Sequence, residues 1–238
     1  MAVAVQTRKR RPRGELRARQ IAEAARAVFA ARGYEAASIA EIAARVGIVE
    51  GALYRHFESK RELLNEVLRA FYRPVIDRLR EGLRGVEGTR NRLRFLIWSH
   101  LCAFRDEPDM VRLVIREVRP GPDYAHSMIR DLNRELTRHA LDVIQEGIDA
   151  GEIEPAVRPA LLRDLIYGGL EHIAWDAVVG GRGSLDVDGL ADNLTDVVWR
   201  GIAARERYHA TDAGARLEGQ LDRLERLLHG ALARRTRS

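Results

Sequence analysis

The sequence predicts an all-α protein in which a small N-terminal unit of three helices is followed by a larger helical unit. Three observations predict this class. Ala, Leu, Arg and Glu are abundant, and all four favour helices. Apolar residues recur at intervals of three and four along most of the chain. Sustained alternation of apolar and polar residues between hairpin turns, which is the pattern of strands, is not found.

Length and composition indicate a soluble globular protein without a membrane span. The chain has 238 residues, 46% of them hydrophobic and 32% charged, which is enough for one large or two small domains with a buried core. Cys102 is the single cysteine, so no disulfide forms within the chain. No stretch has the length and apolarity of a signal peptide or a membrane helix. We therefore expect a cytoplasmic protein.

Positive charge is concentrated at the N-terminus. The chain carries a net charge of +5, and residues 1–19 hold seven basic residues against the single acidic Glu15. Residues 1–13 are predicted to be a disordered basic arm that meets a polyanion, as the arms of other helix-turn-helix proteins enter a minor groove. The alternative is a solvated tail that only aids solubility.

The first helix is predicted over residues 15–32. Ile21, Ala25 and Phe29 belong to one apolar stripe along it. Gly33 follows at the position where a helix commonly ends in a left-handed residue. The stripe is the surface against which the next two helices are expected to pack.

Residues 38–57 have the spacing of a helix-turn-helix. Ser38 and Glu41 form a capping box before a first helix of two turns. Gly47 makes the turn, and a second helix is predicted over residues 50–57. A second helix presented in this way fits the major groove of DNA, which is about 12 Å wide. The residues left on its outer face are Glu50, Gly51, Tyr54 and Arg55.

The rest of the chain is predicted to be helices with short breaks. Ser59 and Glu62 form a second capping box, which begins a long helix that reaches Leu83. Pro74 is expected to kink this helix rather than end it. Pro and Gly residues separate the later segments. The later helices are predicted over residues 89–106, 109–118, 123–150, 158–179, 187–206 and 214–234.

Residues 33–64 resemble a known family. The resemblance runs without a gap over three consecutive helices, in residue type and in spacing, and points to the DNA-binding domain of TetR-family repressors. The runs that carry it are Gly33-Tyr34, Ser38-Ile39-Ala40-Glu41-Ile42-Ala43, Val46-Gly47-Ile48, Gly51-Ala52-Leu53-Tyr54-Arg55-His56-Phe57 and Ser59-Lys60-Arg61-Glu62-Leu63-Leu64.

The resemblance and the helix pattern together imply four parts. They are a disordered basic arm at 1–13, a helix-turn-helix DNA-binding domain at 14–70, a helical effector-binding and dimerisation domain at 71–206, and a C-terminal helix with a basic tail at 207–238. Leucines spaced by four and three in the last part form a short coiled-coil seam, which is also compatible with packing back on the body.

The resemblance implies that three residues contact DNA phosphates: Ser38, Tyr54 and Lys60. Each has an alternative from the residues themselves. Ser38 also caps the second helix, although one hydroxyl oxygen accepts while its hydrogen donates. Tyr54 is alternatively a partly buried packing residue. Lys60 is alternatively a solvated lysine.

Base contacts are predicted for the second helix of the motif. Arg55 suits guanine O6 and N7, and Ala52 suits a thymine methyl group. Glu50 departs from the basic or hydroxyl residues common there, and either accepts from cytosine N4 or repels phosphate. Val49 also departs from the family, because it leaves this helix without a side-chain cap. The candidate base-contacting residues are Glu50, Gly51, Ala52, Arg55 and His56.

The last two core helices are predicted to form a homodimer. Family members pair these helices with their symmetry mates as a four-helix bundle, and the apolar segments 158–179 and 187–206 look similar. The glycine pair at 168 and 169 suits a close helix approach. The alternative is that both helices are buried in the core of one chain.

A ligand pocket is predicted among the helices at 60–83, 89–106, 109–118 and 123–150. Loose similarity of segments 145–153 and 165–170 to fatty-acid-responsive members implies an apolar or acyl-type effector. Aromatic and Met residues at helical spacing are also common in plain cores. The candidate lining residues are Phe95, Trp98, His100, Leu101, Phe104, Met110, Val114 and Met128.

The sequence gives no support for an enzyme. Its seven histidines show no metal-binding spacing, and the Gly-rich run at 180–183 lacks the Lys-Ser/Thr ending of a phosphate loop. No catalytic residue, metal or cofactor is predicted. We expect a homodimeric repressor that a small effector releases from a palindromic DNA site. The alternative is an architectural DNA-binding protein without an effector.

Overall fold

The protein is all-α, as predicted, within the residues that the structure describes. The computed structural model describes residues 13–175 and 185–204. A π-helical segment, Val114–Val118, is called the π turn below, and a short 3-10 turn spans Tyr124–His126. The α-helices are α1 (Arg13–Arg32), α2 (Ile39–Val46), α3 (Glu50–Leu53), α4 (Lys60–Leu83), α5 (Thr89–Asp106), α6 (Pro108–Leu113), α7 (Met128–Asp149), α8 (Pro159–Ala174) and α9 (Val187–Ile202).

The N-terminal unit is held by apolar burial around α1. Ile21, Val28 and Phe29 are at most 1% exposed, so the predicted stripe is the core of this unit. The helix packs against α2 and α4. Gly33 has a φ of 79°, the left-handed value that ends the helix. The stripe and its terminating glycine thus place α2 and α3 on one side of α1.

The long helix α4 belongs to both units. It packs against α1 of the N-terminal unit and against α5 and α7 of the second unit. Leu63 and Leu68 are fully buried toward its start, and Ile76 and Leu79 are at most 2% exposed toward its end. Pro74 does not end the helix and lies on its exposed side. The predicted division at residue 70 therefore falls inside a continuous helix.

The second unit is arranged around α5, which packs against α4, α6, α7, α8 and α9. Leu93, Ile97 and Leu101, spaced by four, are at most 1% exposed and form its inner stripe. A row of polar pairs also joins α5 to α9, in opposite order along the two helices, so α5 and α9 are antiparallel. The pairs and their hydrogen-bond distances are Arg90–Asp196 at 2.5 Å, Arg94–Asp192 at 2.5 Å and Trp98–Asp188 at 3.0 Å.

Two predicted helices in the middle of the chain have different bounds. The helix predicted over 109–118 is α6 followed by the π turn, a rare conformation that often marks functional sites. The helix predicted over 123–150 begins at Met128 instead. Ser127 caps it there, because its Oγ accepts a hydrogen bond from N of Arg130 at 3.2 Å.

The end of α9 is fixed by backbone pairing with the segment after α7. The helix predicted over 187–206 ends at Ile202. N of Glu154 donates to O of Ile202 at 2.8 Å, and N of Ala204 donates to O of Glu152 at 2.9 Å. This backbone pairing is extended rather than helical. The predicted end of the helix at residue 206 was therefore wrong.

Several predictions lie outside the described residues. They concern the basic arm up to residue 12, the end of the helix predicted over 158–179 with the Gly-rich run 180–183, and the C-terminal part at 207–238. Arg13, which was predicted to belong to the arm, is the first residue of α1. The first helix therefore begins two residues before its predicted start.

Gly147 of α7 marks a close approach to neighbouring elements. A Cβ built there would lie 2.6 Å from Cγ2 of Thr89 and 2.7 Å from Cδ1 of Ile153. We predict that Gly147→Ala lowers the free energy of unfolding by about 1–3 kcal/mol, because buried side chains must shift. Denaturant unfolding measures this. Gly14→Ala is the control, since a Cβ there meets nothing within 4 Å. A Gly147→Ala protein as stable as wild type would contradict the close approach.

Candidate DNA-binding surface and ligand cavity

The second and third helices form a helix-turn-helix with a tightly fixed turn. Ser38 caps α2, because its Oγ accepts a hydrogen bond from N of Glu41 at 3.1 Å. Gly47 follows α2 with a φ of 72°, a conformation that residues with a Cβ rarely adopt. N of Ile48 donates to O of Ala43 at 3.0 Å. These local bonds set the direction in which α3 leaves α2.

The third helix is shorter than predicted. It ends at Leu53 rather than at residue 57. Val49 provides no side-chain cap at its start, and Gly51 within it has low helix propensity. After the helix, the N–H groups of residues 56 and 57 both donate to O of Leu53, which makes a turn. A short helix followed by a turn thus replaces the longer predicted helix.

The outer side of α3 and of the following turn is accessible. Leu53 and Phe57 are buried and anchor the segment on the core. Arg55 and His56, which were predicted for the second helix of the motif, lie in the turn. Of the predicted DNA-binding residues, the exposed ones are Ser38, Glu50, Gly51, Tyr54 and Arg55, and the half-buried ones are Ala52, His56 and Lys60.

Lys60 lies beside the segment that joins α1 to α2. Its Nζ donates to O of Glu35 at 3.0 Å and lies 4.6 Å from the centre of the Tyr34 ring. In the single chain Lys60 is therefore bonded to this segment and half-buried. An ammonium group has three donors, so a phosphate contact is compatible with the bond to Glu35.

A small cavity lies in the second unit among α4, α5, α6, α7 and α8. Its volume is about 40 Å³, which is well below the roughly 300–1,000 Å³ of typical ligand pockets. It lies among the four predicted helices, with α8 as an additional wall. The lining is mostly apolar and consists of Phe71, Tyr72, Val75, His100, Ala103, Phe104, Val111, Val114, Ile115, Arg119, Asn133, Leu136 and Glu171.

Three of the eight predicted pocket residues line this cavity: His100, Phe104 and Val114. Of the other five, two belong to the buried core and three pack against its edge. Helical periodicity identifies a buried face but not which part of that face borders a gap. The five residues that do not line the cavity are Phe95, Trp98, Leu101, Met110 and Met128.

The sequence interpretation missed the charged part of the cavity wall. Arg119 follows the π turn and Glu171 lies on α8, and NH1 of Arg119 donates to Oε1 of Glu171. Burial disfavours the charge of Arg119, but the hydrogen bond and the attraction of Glu171 outweigh it and raise the pKa of Arg119. No local sequence pattern predicts this ion pair, because its two residues are far apart in the chain.

The remaining polar groups of the wall are uncharged near neutral pH. The ring of His100 packs edge-on against Phe104 and Tyr167, with centroids 4.7 and 4.8 Å apart. Burial, and then the charge of Arg119, lower the pKa of His100 to about 4. Burial also raises the pKa of Tyr72. Arg119 and Glu171 therefore provide the charge of the described lining.

The π turn connects the cavity to the N-terminal unit. Val114, at its start, lines the cavity. Glu117, further along the same turn, accepts a hydrogen bond from the backbone N of Tyr34, just after α1. Arg26 of α1 also pairs with Glu107, immediately before α6. The same segment thus contacts the cavity on one side and the N-terminal unit on the other.

An apolar groove lies between α8 and α9 on the outside of the chain. Its volume is about 330 Å³. Leu165 and Val197 line it and are 64% and 72% exposed. A Cβ built at Gly168, Gly169 or Gly201 would meet nothing within 4 Å. Within the described part of the chain, nothing covers this face.

Among residues 13–175 and 185–204, no helix has the length and apolarity needed to cross a membrane. The same residues contain no group of three or more His, Cys, Asp or Glu side chains that could bind a metal ion. Burial raises the pKa of the free thiol of Cys102.

The fold and these sites define a helix-turn-helix DNA-binding regulator. The family model "Bacterial regulatory proteins, tetR family" matches residues 21–67. The model "Tetracyclin repressor-like, C-terminal domain" matches residues 87–202. The chain belongs to the TetR family of DNA-binding transcription regulators, which are not enzymes.

Curated relatives and solved structures are similar along most of the chain. The transcriptional repressor KstR2 of Mycobacterium tuberculosis H37Rv is 31% identical over 160 residues, which cover 67% of this chain and 78% of that protein. The transcriptional activator FasR of Mycolicibacterium smegmatis is 27% identical and covers 82% of this chain and 86% of its own. The crystal structure of FadR from Bacillus subtilis in complex with stearoyl-CoA has a TM-score of 0.70 at 22% identity, covering 77% of this chain and 98% of that chain. This last likeness shows the fold.

The lowered pKa of His100 predicts a loss of stability in acid. Between pH 6.5 and about 4 the unfolded chain binds a proton at His100 that the folded chain does not bind, so stability falls as the pH falls through this window. We predict that from pH 7 to pH 5 wild type loses about 1–2 kcal/mol more than His100→Leu. Urea unfolding at pH 5, 6 and 7 measures the difference. Parallel curves for the two proteins would contradict the assignment.

Proposed function

We propose that the protein is a homodimeric repressor that an apolar or acyl-type effector releases from a palindromic DNA site. The observation that carries this proposal is the position of the π turn. It lines the cavity through Val114 and bonds the DNA-binding unit through Glu117. A ligand that moves this turn changes the support of α1, on which α2 and α3 are packed.

The homodimer is proposed on the apolar face of α8 and α9. One reading segment touches few base pairs, so specific binding needs two of them held about 34–36 Å apart. A second copy of the chain supplies the same apolar face across a two-fold axis. The open space at Gly168, Gly169 and Gly201 suits close helix approach by such a partner.

DNA contacts are proposed for the exposed residues around α3. Arg55 is assigned to base contact, and Ser38, Tyr54 and Lys60 to phosphates. Gly51 is exposed with open space around it, which permits the DNA backbone to approach closely. The basic residues before α1 add charge that increases affinity for any DNA sequence.

The effector class rests on the lining and on the relatives. The wall of the cavity is mostly apolar, which suits a molecule with an apolar body. FadR of Bacillus subtilis was crystallised with stearoyl-CoA, and KstR2 of Mycobacterium tuberculosis is described as a ketosteroid regulator. KstR2 is a repressor by name, and its identity to this chain supports repression here.

The alternative is an architectural DNA-binding protein without an effector. The small cavity volume, about 40 Å³, favours it. Selection of bound duplexes from random DNA, followed by titration with acyl and sterol ligands, separates the two functions. The proposed function requires a selected palindrome and its release by one of these ligand classes. A site without two-fold symmetry, or binding that none of the ligands weakens, would overturn the proposed function.

Substitutions at the DNA surface should separate base from phosphate contacts. We predict that Arg55→Ala weakens the preference for one base in each half-site by about 1–3 kcal/mol. Lys60→Ala should weaken binding to all DNA sequences alike. It should also reduce the slope of log affinity against log salt concentration by about one unit per protomer. Titrations of selected and scrambled duplexes at several salt concentrations measure both effects.

Arg84→Ala, with an exposed arginine at the far end of α4, is the charge-matched control and should change neither property. If Arg55→Ala weakened selected and scrambled duplexes equally, Arg55 would not contact a base.

A charge placed in the apolar groove should prevent dimer formation. We predict that Leu165→Glu yields a folded monomer with weak DNA binding, because Leu165 is 64% exposed in the single chain. Leu194 and Ile173 are less suitable positions, since both are half-buried and a charge there also strains the fold. Sedimentation velocity and circular dichroism measure assembly and helicity. Leu16→Glu, at an exposed leucine of α1, is the control. An intact Leu165→Glu dimer would refute this interface.

A further inference from the structure

The charged wall of the cavity is a single ion pair between two elements. Arg119 follows the π turn directly, and Glu171 belongs to α8. The polar residues beside them, including His100 and Asn133, carry no charge near neutral pH. The wall therefore offers a bound molecule one cation that already has one anionic partner.

Arg119 is held by more than its pair with Glu171. The two side chains are similarly exposed, 32% for Arg119 and 34% for Glu171, so the Glu171 carboxylate reaches water by rotating outward. The guanidinium of Arg119 is held from another side as well, with its centre 5.9 Å from the centroid of the Tyr124 ring. A guanidinium has five N–H donors, and the bond to Glu171 uses one of them.

We propose that the cavity binds an amphipathic carboxylate whose carboxyl group replaces Glu171 on Arg119 and whose apolar body lies among Phe71, Phe104 and Val114. The proposal rests on the proposed function, in which the cavity is the effector site. Exchange of one carboxylate for another keeps the half-buried Arg119 paired, so its charge is not left without a partner. A neutral ester of the same shape offers Arg119 only an uncharged acceptor, which forms a weaker hydrogen bond than a carboxylate does.

The exchange also accounts for how a cavity of about 40 Å³ admits a ligand. The Arg119–Glu171 pair joins the segment after the π turn to α8, so breaking it lets these two walls separate. Glu117 lies two residues before Arg119 and bonds N of Tyr34. Movement of Arg119 with the ligand therefore acts on the support of the DNA-binding unit.

The test measures ligand affinity in the absence of DNA. The probes are decanoate and deoxycholate, each compared with its methyl ester, and decanoyl-CoA as a thioester that lacks the free carboxyl group. Calorimetry is performed on the full-length wild-type protein and on the variants Arg119→Gln, Arg119→Lys and Glu171→Gln. Thermal unfolding of each variant reports whether it is folded.

We expect at least one of the two acids to bind wild type about tenfold more tightly than its ester, as a charge-assisted hydrogen bond implies. Glu171→Gln removes the competing anion and should tighten binding of that acid while leaving the ester unchanged. Arg119→Gln should abolish the preference for acid over ester, and Arg119→Lys should restore part of it. Glu135→Gln, which alters the Arg73–Glu135 pair between α4 and α7, is the matched control. It should change neither the affinity for the acid nor the ratio of acid to ester affinity.

The proposal is overturned if neither acid is preferred over its ester, if decanoyl-CoA binds more tightly than decanoate in a manner independent of Arg119, or if Glu171→Gln weakens the acid. A separate result would contradict the proposed function. If the acid binds with the expected affinity ratios but does not release the protein from selected DNA, the carboxylate site is supported and release by this ligand is refuted.

Discussion

The structure depends on the burial of one helix by two units. α4 contributes Leu63 and Leu68 to the core around α1, and Ile76 and Leu79 to the core around α5. Because protein interiors are close-packed, a helix held on both sides does not shift at one end without a response at the other. The contacts of Glu117 and Glu107 with the N-terminal unit are polar and partly exposed. Such contacts are weak compared with the apolar core, so they are the connections that change first.

Local sequence signals were sufficient for the fold class and for the helix-turn-helix. The stripe at Ile21, Val28 and Phe29, the cap at Ser38 and the left-handed Gly47 each act over a few residues, and each has the predicted role in the structure. The exposure of Tyr54 and Arg55 follows from the same periodicity, since Leu53 and Phe57 are drawn into the core. The candidate DNA-binding surface is therefore mostly a consequence of short-range sequence patterns.

The errors arose where distant segments meet. α9 ends at Ile202, where the backbone N of Glu154 donates a hydrogen bond to O of Ile202, and nothing near residue 202 predicts that contact. The Arg119–Glu171 pair likewise joins two helical segments that a periodicity analysis treats separately. His100 and Phe104, one turn apart on α5, line the cavity, whereas Leu101 lies about 100° around the helix on the buried stripe of Leu93 and Ile97. Periodicity identifies buried faces, and packing between faces determines cavities.

The small volume of the cavity affects how fast a ligand binds rather than how tightly it binds. A space of about 40 Å³ is small for the body of an acyl or sterol ligand, so under the proposed function such a ligand enters only while the walls are apart. Uptake of an abundant ligand would then proceed at the rate at which the walls open. A repressor of the proposed kind would therefore respond to a change in effector concentration no faster than these walls open.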